Sequence, residues 1–236
     1  MPNVTWGTAS ALVATALGAL GATSAAAQEP EREFISFVWG AGVDGRQGIG
    51  GRTIDVDADW DDLIDFVDVG ASFRYRATND GLGWFMEGNY TRLDSSTDTP
   101  TNASAELTLQ LGELGFSKSL RDGLAVYAGL RAQSLDLEIR AEPGFIGGDD
   151  SSWVDGIVGL RWSTQRPGPW TAWVRGDIGA GESDRVWLGE IGGGYRFGGA
   201  WSAYLGYRVL STDYEDDDFL YDVEQSGLAF GFGFVF

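Results

Sequence analysis

Leu228-Ala229-Phe230-Gly231-Phe232-Gly233-Phe234-Val235-Phe236 places a large apolar residue at every second position up to the last residue given. Side chains alternate across a strand with a period of two. Leu228, Phe230, Phe232, Phe234 and Phe236 therefore share one face, and Ala229, Gly231, Gly233 and Val235 the other. A strand buried in a soluble core does not need small residues so regularly opposite. A strand with one face in lipid and the other in a crowded barrel interior does.

The same alternation recurs upstream. Val67, Val69, Ala71, Phe73 and Tyr75 oppose Asp68, Gly70, Ser72, Arg74 and Arg76; Val154, Val158, Leu160 and Trp162 oppose Asp155, Gly159 and Arg161. Trp201, Ala203, Leu205, Tyr207 and Val209 likewise oppose Ser202, Tyr204, Gly206 and Arg208. Gly, Pro and Asn-Asp turn chemistry marks short connections at 78–81, 119–123, 165–169 and 198–199. Longer connections fall near 44–65, 94–103, 138–152, 180–185 and 212–224. The alternation of short and long predicts an all-β, closed antiparallel transmembrane β-barrel of about ten strands, with eight or twelve as alternatives. Its strands are predicted near 33–43, 66–76, 83–93, 104–118, 123–137, 153–163, 170–179, 186–197, 200–211 and 225–236, joined by short periplasmic turns and longer acidic external loops. In the fourth, Leu107, Leu109 and Leu111 share parity with Glu113. That predicts either a β-bulge near Gly112, the reading favoured here, or a different register.

A terminal strand ending in Phe resembles the last strand of bacterial outer-membrane barrels, and the resemblance implies that Phe236 belongs to the signal read by the barrel assembly machinery. Trp153 to Trp162, Arg175 to Gly179, Gly192 to Phe197, Leu205 to Arg208 and Asp213-Tyr214 resemble a widespread group of small proteobacterial outer-membrane proteins. The broader likeness is to OmpA-like and OmpW-like barrels. It implies location and architecture and brings no catalytic residues with it.

At the other end, Ala11 to Leu20 is an uncharged apolar stretch of h-region length, and Ala25 and Ala27 occupy the A-x-A positions of a signal-peptidase site. Residues 1–27 are predicted to be a signal peptide and 28–236 the barrel. The n-region departs from pattern, with no Lys or Arg before Arg32. The expected destination is the outer membrane of a Gram-negative bacterium. Hydrophobic residues make up 43% of the chain, dispersed in short alternating runs, which is the barrel signature. With no Cys, stability must come from a closed sheet rather than disulfides. With no His, the usual general base is missing. The net charge of −19 argues against nucleic acid as a partner.

The ionisable residues predicted to face inward are Asp68, Arg74, Arg76, Glu87, Arg131, Asp155, Arg161, Arg175, Asp177, Glu190, Arg196 and Arg208. So many charges in a narrow lumen must pair, and Arg suits that role because its planar fork engages a carboxylate bidentately. Trp39, Trp84, Tyr90, Trp162, Trp170, Trp187, Tyr195, Trp201 and Tyr207 sit near predicted strand ends, as the aromatic girdles of a membrane barrel do. Trp60, Leu63, Ile64 and Val67 recur at helical spacing behind Asp59, predicting a short amphipathic helix in the first loop. Asp213, Glu215, Asp216, Asp217 and Asp218 concentrate oxygen ligands in the last external loop, a weak candidate for divalent cations shared with lipopolysaccharide phosphates. A solvated acidic loop is the alternative.

No catalytic residue and no cofactor are expected. The function expected is an envelope structural protein or a narrow porin-like channel for small solutes, with lipid, lipopolysaccharide and the assembly machinery as partners. The rival readings are a barrel enzyme acting on lipid or lipopolysaccharide and a surface-loop binding or adhesion protein.

Overall fold

Because the alternating runs follow one another with short turns, each finds its backbone partner in its sequence neighbour, and the last run has only the first left to pair with. The structure, a computed structural model, describes residues 31–49, 52–59, 63, 67–96, 103–141, 144–164, 168–216 and 219–236. Its strands are β1 (Glu31–Ile49), β2 (Arg52–Ala58), β3 (Val67–Asn79), β4 (Leu82–Ser96), β5 (Ala103–Arg121), β6 (Leu124–Ala141), β7 (Gly144–Ser163), β8 (Trp170–Gly181), β9 (Arg185–Phe197), β10 (Trp201–Asp216) and β11 (Phe219–Val235). All pairings are antiparallel, and β11 closes on β1 from Glu33↔Val235 to Ile49↔Phe219. The short β2 pairs only with the upper half of β1, so ten strands form the closed wall and β2 is a flap above it.

At one end the wall is stitched by tight turns. Asp80 (φ 49°) and Gly81 (φ 77°) are both left-handed, the requirement of a two-residue type I′ hairpin whose twist matches that of the strands. At the other end the strands run on. Segments 138–152 and 212–224, expected as long loops, are mostly paired backbone: β6 extends to Ala141, β7 begins at Gly144, β10 reaches Asp216 and β11 starts at Phe219. Acidic residues have poor strand propensity. Here Asp213, Glu215, Asp222 and Glu224 occupy outward positions while Tyr214, Phe219, Tyr221 and Val223 turn inward and bury, and that packing overrides the preference.

The outer wall carries the apolar belt. Leu130, Val158, Ile178, Ile191, Leu205, Phe230 and Phe232 are all exposed, Ile178 at 66%, and Phe116 reaches 74%. Such a belt is stable only in a non-aqueous medium. Near the tight-turn end the outward rings pair, Trp170 with Tyr195 at 4.7 Å, Tyr75 with Trp84 at 4.9 Å and Trp201 with Phe234 at 4.9 Å between centroids. Trp39 is the exception among the predicted girdle residues: it turns into the lumen.

β5 pairs with β4 without interruption through Gly112, so there is no bulge there. Its only irregularity lies at Ser119/Arg121, beside the turn. Leu111 and Glu113 both point inward, while Leu114 and Phe116 face out. The upper lumen is apolar, which is why leucines share a face with an acid. The first-loop helix expected from Trp60, Ile64 and their neighbours falls largely outside the described residues. Within them, the Leu63 N–H donates to the Asp59 carbonyl at 3.2 Å, one bond of helical spacing.

The last residue is tied into closure. The Phe236 N–H donates to the Arg32 carbonyl at 3.0 Å, and its ring lies 5.8 Å from that of Phe234 and 6.4 Å from that of Tyr75. Deleting Phe236 should remove about 1 kcal/mol of ring contacts and loosen the seam. Heat-modifiable gel mobility should show a smaller folded fraction than for Glu224→Ala, whose side chain is exposed; equal folding of the two would contradict this role.

Candidate functional site: the charged lumen

Alternation delivers one inward side chain per strand at each level, and at mid-height these side chains are charged. Arg74 (β3), Glu87 (β4), Glu113 (β5), Arg131 (β6), Arg175 and Asp177 (β8), Glu190 (β9) and Arg208 (β10) are all buried. Arg74 presents its fork to Glu190, Nη1 to Oε1 at 2.9 Å and Nη2 to Oε2 at 2.7 Å, while its Nε donates to Glu87 at 2.6 Å. Glu190 also accepts the Trp173 indole N–H at 3.1 Å. Arg131 donates to Glu113 through Nε at 2.9 Å and Nη2 at 2.8 Å, and lies 2.9 Å from Asp177 Oδ1.

Glu87 and Glu113 stand directly opposite each other on β4 and β5, an arrangement that is repulsive when isolated. Arg175 resolves it by reaching both, Glu87 at 3.2 Å and Glu113 through a short charge-assisted bond. Arg208 donates to Glu87 from the other side. Tyr127 completes the layer, donating to Asp177 at 2.6 Å and accepting from Arg175 Nε at 2.8 Å. Arg208 also lies over the Trp39 ring at 4.7 Å, and Arg175 over Tyr127 at 5.1 Å, so the guanidinium faces that make no hydrogen bonds are covered by π-systems. Four arginines meet four carboxylates, and the layer is neutral.

Above it the lumen is filled by apolar side chains. Trp153 stacks on Tyr214 at 4.5 Å and leans on Tyr221 at 5.4 Å, with Leu135, Phe219 and Val223 around them. Leu111, Ile157, Val186, Leu188 and Leu210 join this layer to the charged one. Among the described residues, Gln133 and Thr212 supply the polar link at this height, bonded at 3.1 Å.

Of the twelve residues expected to line the lumen, Arg74, Glu87, Arg131, Arg175, Asp177, Glu190 and Arg208 form the network. Asp155 is fully buried but meets no arginine within ion-pair distance; its Oδ1 accepts the Ser183 N–H at 2.9 Å. Arg76 lies below the network, 3.5 Å from Glu33. Arg161 and Arg196 are at the tight-turn mouth, where no carboxylate among the described residues pairs with either. The Asp68 side chain lies outside the described residues. Glu113 and Glu33 are inward-facing residues that the alternation does not flag, because Leu107, Leu109 and Leu111 share the face of the first and Ile35 and Phe37 that of the second.

The acidic candidates do not converge. Asp213 pairs across the sheet with Asp222 and lies 3.8 Å from Arg185, while Glu215 and Asp216 are exposed at the end of β10. Asp217 and Asp218 lie outside the described residues. Among the described residues no three acidic side chains are grouped to hold an ion.

No family model matches the chain, and no curated protein sequence matches it. Solved structures do. The attachment invasion locus protein Ail of Yersinia pestis, in complex with the heparin analogue sucrose octasulfate, is 13% identical, with 89% of this chain and 100% of that one covered and a TM-score of 0.47. The translocator domain of autotransporter NalP from Neisseria meningitidis is 14% identical over 96% of this chain and 93% of that one, at 0.47. The outer-membrane protease OmpT from Escherichia coli is 10% identical over 91% and 99%, at 0.49. At such identities the likeness is one of barrel architecture alone.

Proposed function

We propose that this protein is an integral outer-membrane barrel of a Gram-negative envelope with a structural, non-enzymatic role and a lumen closed to solutes. On this reading residues 1–27 are removed as a signal peptide, the tight turns face the periplasm and the tall acidic hairpins face outward. Bilayer lipid, lipopolysaccharide and the assembly machinery are its partners, and OmpA-like and OmpW-like barrels a group it resembles. The observation that carries the reading is the two-tier filling of the lumen, a neutral ion-pair layer beneath an aromatic one. In the first tier Arg131 and Arg208 are 0% exposed.

A narrow channel would need a continuous wet path lined by charge, and here both tiers would have to part to provide one. The four carboxylates of the ion-pair layer are held by arginines, Asp177 also by Tyr127, and Asp155, held by the Ser183 N–H, is 0% exposed, so none of them is presented to a substrate as a base. Planar-bilayer recording of the purified protein tests the proposal. Steady single-channel conductance would sink it; a silent bilayer containing demonstrably folded barrel is the expected result.

A further inference from the structure

Below the ion-pair layer the lumen widens into a cavity of about 700 Å³ that opens at the tight-turn end. Its floor is Arg74, Glu190 and Trp173, and its walls carry Arg76, Arg161 and Arg196. Arg74 and Glu190 satisfy each other, and Arg76 shares Glu33 with the Tyr204 hydroxyl, which donates to the same carboxylate. Arg161 is different. Its register neighbours are Ala125 on β6 and Arg175 on β8, and Arg175 is committed to the network. Arg76, of the same sign, lines the same chamber from β3, and the Glu33 carboxylate beside it is already bonded to Arg76 and Tyr204. Arg196 adds a further cation on β9. Glu31, Arg121 and Asp122 lie at the exposed rim.

A protein of net charge −19 thus holds an excess of guanidinium inside a walled, half-buried chamber. Arginine does not relieve that excess by losing its proton, so an anion must. Low-dielectric walls focus the field of the uncompensated charges toward the chamber.

We infer that this chamber is a binding site for a small water-soluble molecule bearing a phosphate-type oxyanion, held between Arg76 and Arg161 with Arg196 at the entrance. Guanidinium groups engage such oxyanions through paired N–H donors, and two of them on opposite walls suit an anion with oxygens on two sides. The barrel wall separates the chamber from the bilayer, so the occupant comes from the aqueous phase. Assigning the mouth to the periplasm rests on the function proposed above; the binding itself does not.

Calorimetric titration of inorganic pyrophosphate into the protein purified from membranes in detergent, at low ionic strength, tests the site. Saturable binding at one site per barrel is expected, with loss of at least about tenfold in affinity for Arg161→Gln, the size expected when a charge-assisted hydrogen bond is removed. Asp122→Asn, at the rim, should bind as the parent does. Gel mobility establishes that each variant is folded. Should Arg161→Gln fail to fold, Arg196→Gln provides the same comparison with a smaller expected loss. No saturable binding by the parent protein, or undiminished binding by folded Arg161 and Arg196 variants, would overturn the inference. Conductance accompanied by pyrophosphate binding would instead overturn only the closed-lumen reading.

Discussion

Glu87→Ala is expected to destabilise the barrel by about 3–5 kcal/mol, the cost of removing one partner from a buried ion pair. Glu87 is fully enclosed and accepts from Arg74, Arg175 and Arg208. Arg74 retains Glu190 and Arg175 retains Glu113, but the nearest remaining carboxylate to Arg208 is Glu113 at 3.8 Å, beyond hydrogen-bond reach. The penalty therefore falls mainly on Arg208, which has no solvent to turn to. Replacing it as well, in Glu87→Ala/Arg208→Leu, removes the stranded charge and should cost less than the sum of the single changes. Urea unfolding of the parent and the three variants in one lipid measures both quantities. Additive losses would mean that water enters the layer and solvates the freed group.

Gly227→Val should do more than destabilise: it should keep the seam from closing. A Cβ at Gly227 would lie 1.8 Å from the Gly40 carbonyl oxygen and 3.0 Å from Ala41 Cα, both backbone atoms of β1 that cannot rotate away. Gly231 meets the same strand, with its Cβ position 2.3 Å from the Ser36 oxygen. Overpacking of side chains costs about 1–3 kcal/mol, and a clash with backbone at the closing pair lies above that range. Gly112→Val is the control, since nothing lies within 4 Å of its Cβ position. Heat-modifiable mobility should show the folded form for Gly112→Val and its near absence for Gly227→Val. A normal folded fraction for both would place the β1–β11 register in error.

The wall was more legible than its contents. Period-two alternation assigns sides within 67–76, 153–163, 201–209 and 228–236, and for the described side chains those assignments agree with the burial observed. Turn chemistry at Asp80-Gly81 and Gly198-Gly199 fixes one end of the barrel. Height and partner are a different matter. Parity puts Asp155, Arg161 and Arg175 on the inner face alike, yet tilt and stagger of the strands decide that Arg175 meets Glu113 while Arg161 looks into an open chamber. Glu113 escaped notice because Leu107, Leu109 and Leu111 share its face, and nothing in β5 alone reveals that the upper lumen is packed with apolar side chains. The strand extensions were hidden by composition: Asp213 and Asp222 read as loop residues until their pairing places Tyr214 beside Tyr221.

The ion pairs of the lumen also constrain how the barrel can come into being. Arg74 and Glu190 are 116 residues apart in the chain, and Arg208 and Glu87 are 121 apart, because the bridges cross the interior rather than follow the hairpins. The β3–β4 hairpin contains Arg74 with Glu87, but no single hairpin contains both Arg208 and the carboxylate it bonds, or the pair that Arg74 forms with Glu190. A half-made sheet in lipid would leave guanidinium and carboxylate groups facing hydrocarbon, at a cost of several kcal/mol each. Those groups must stay hydrated until distant strands arrive together. Insertion and ring formation are thereby joined in one cooperative event, slow because its contacts are so non-local, and a chain truncated by a single hairpin has no partly built barrel in which to rest.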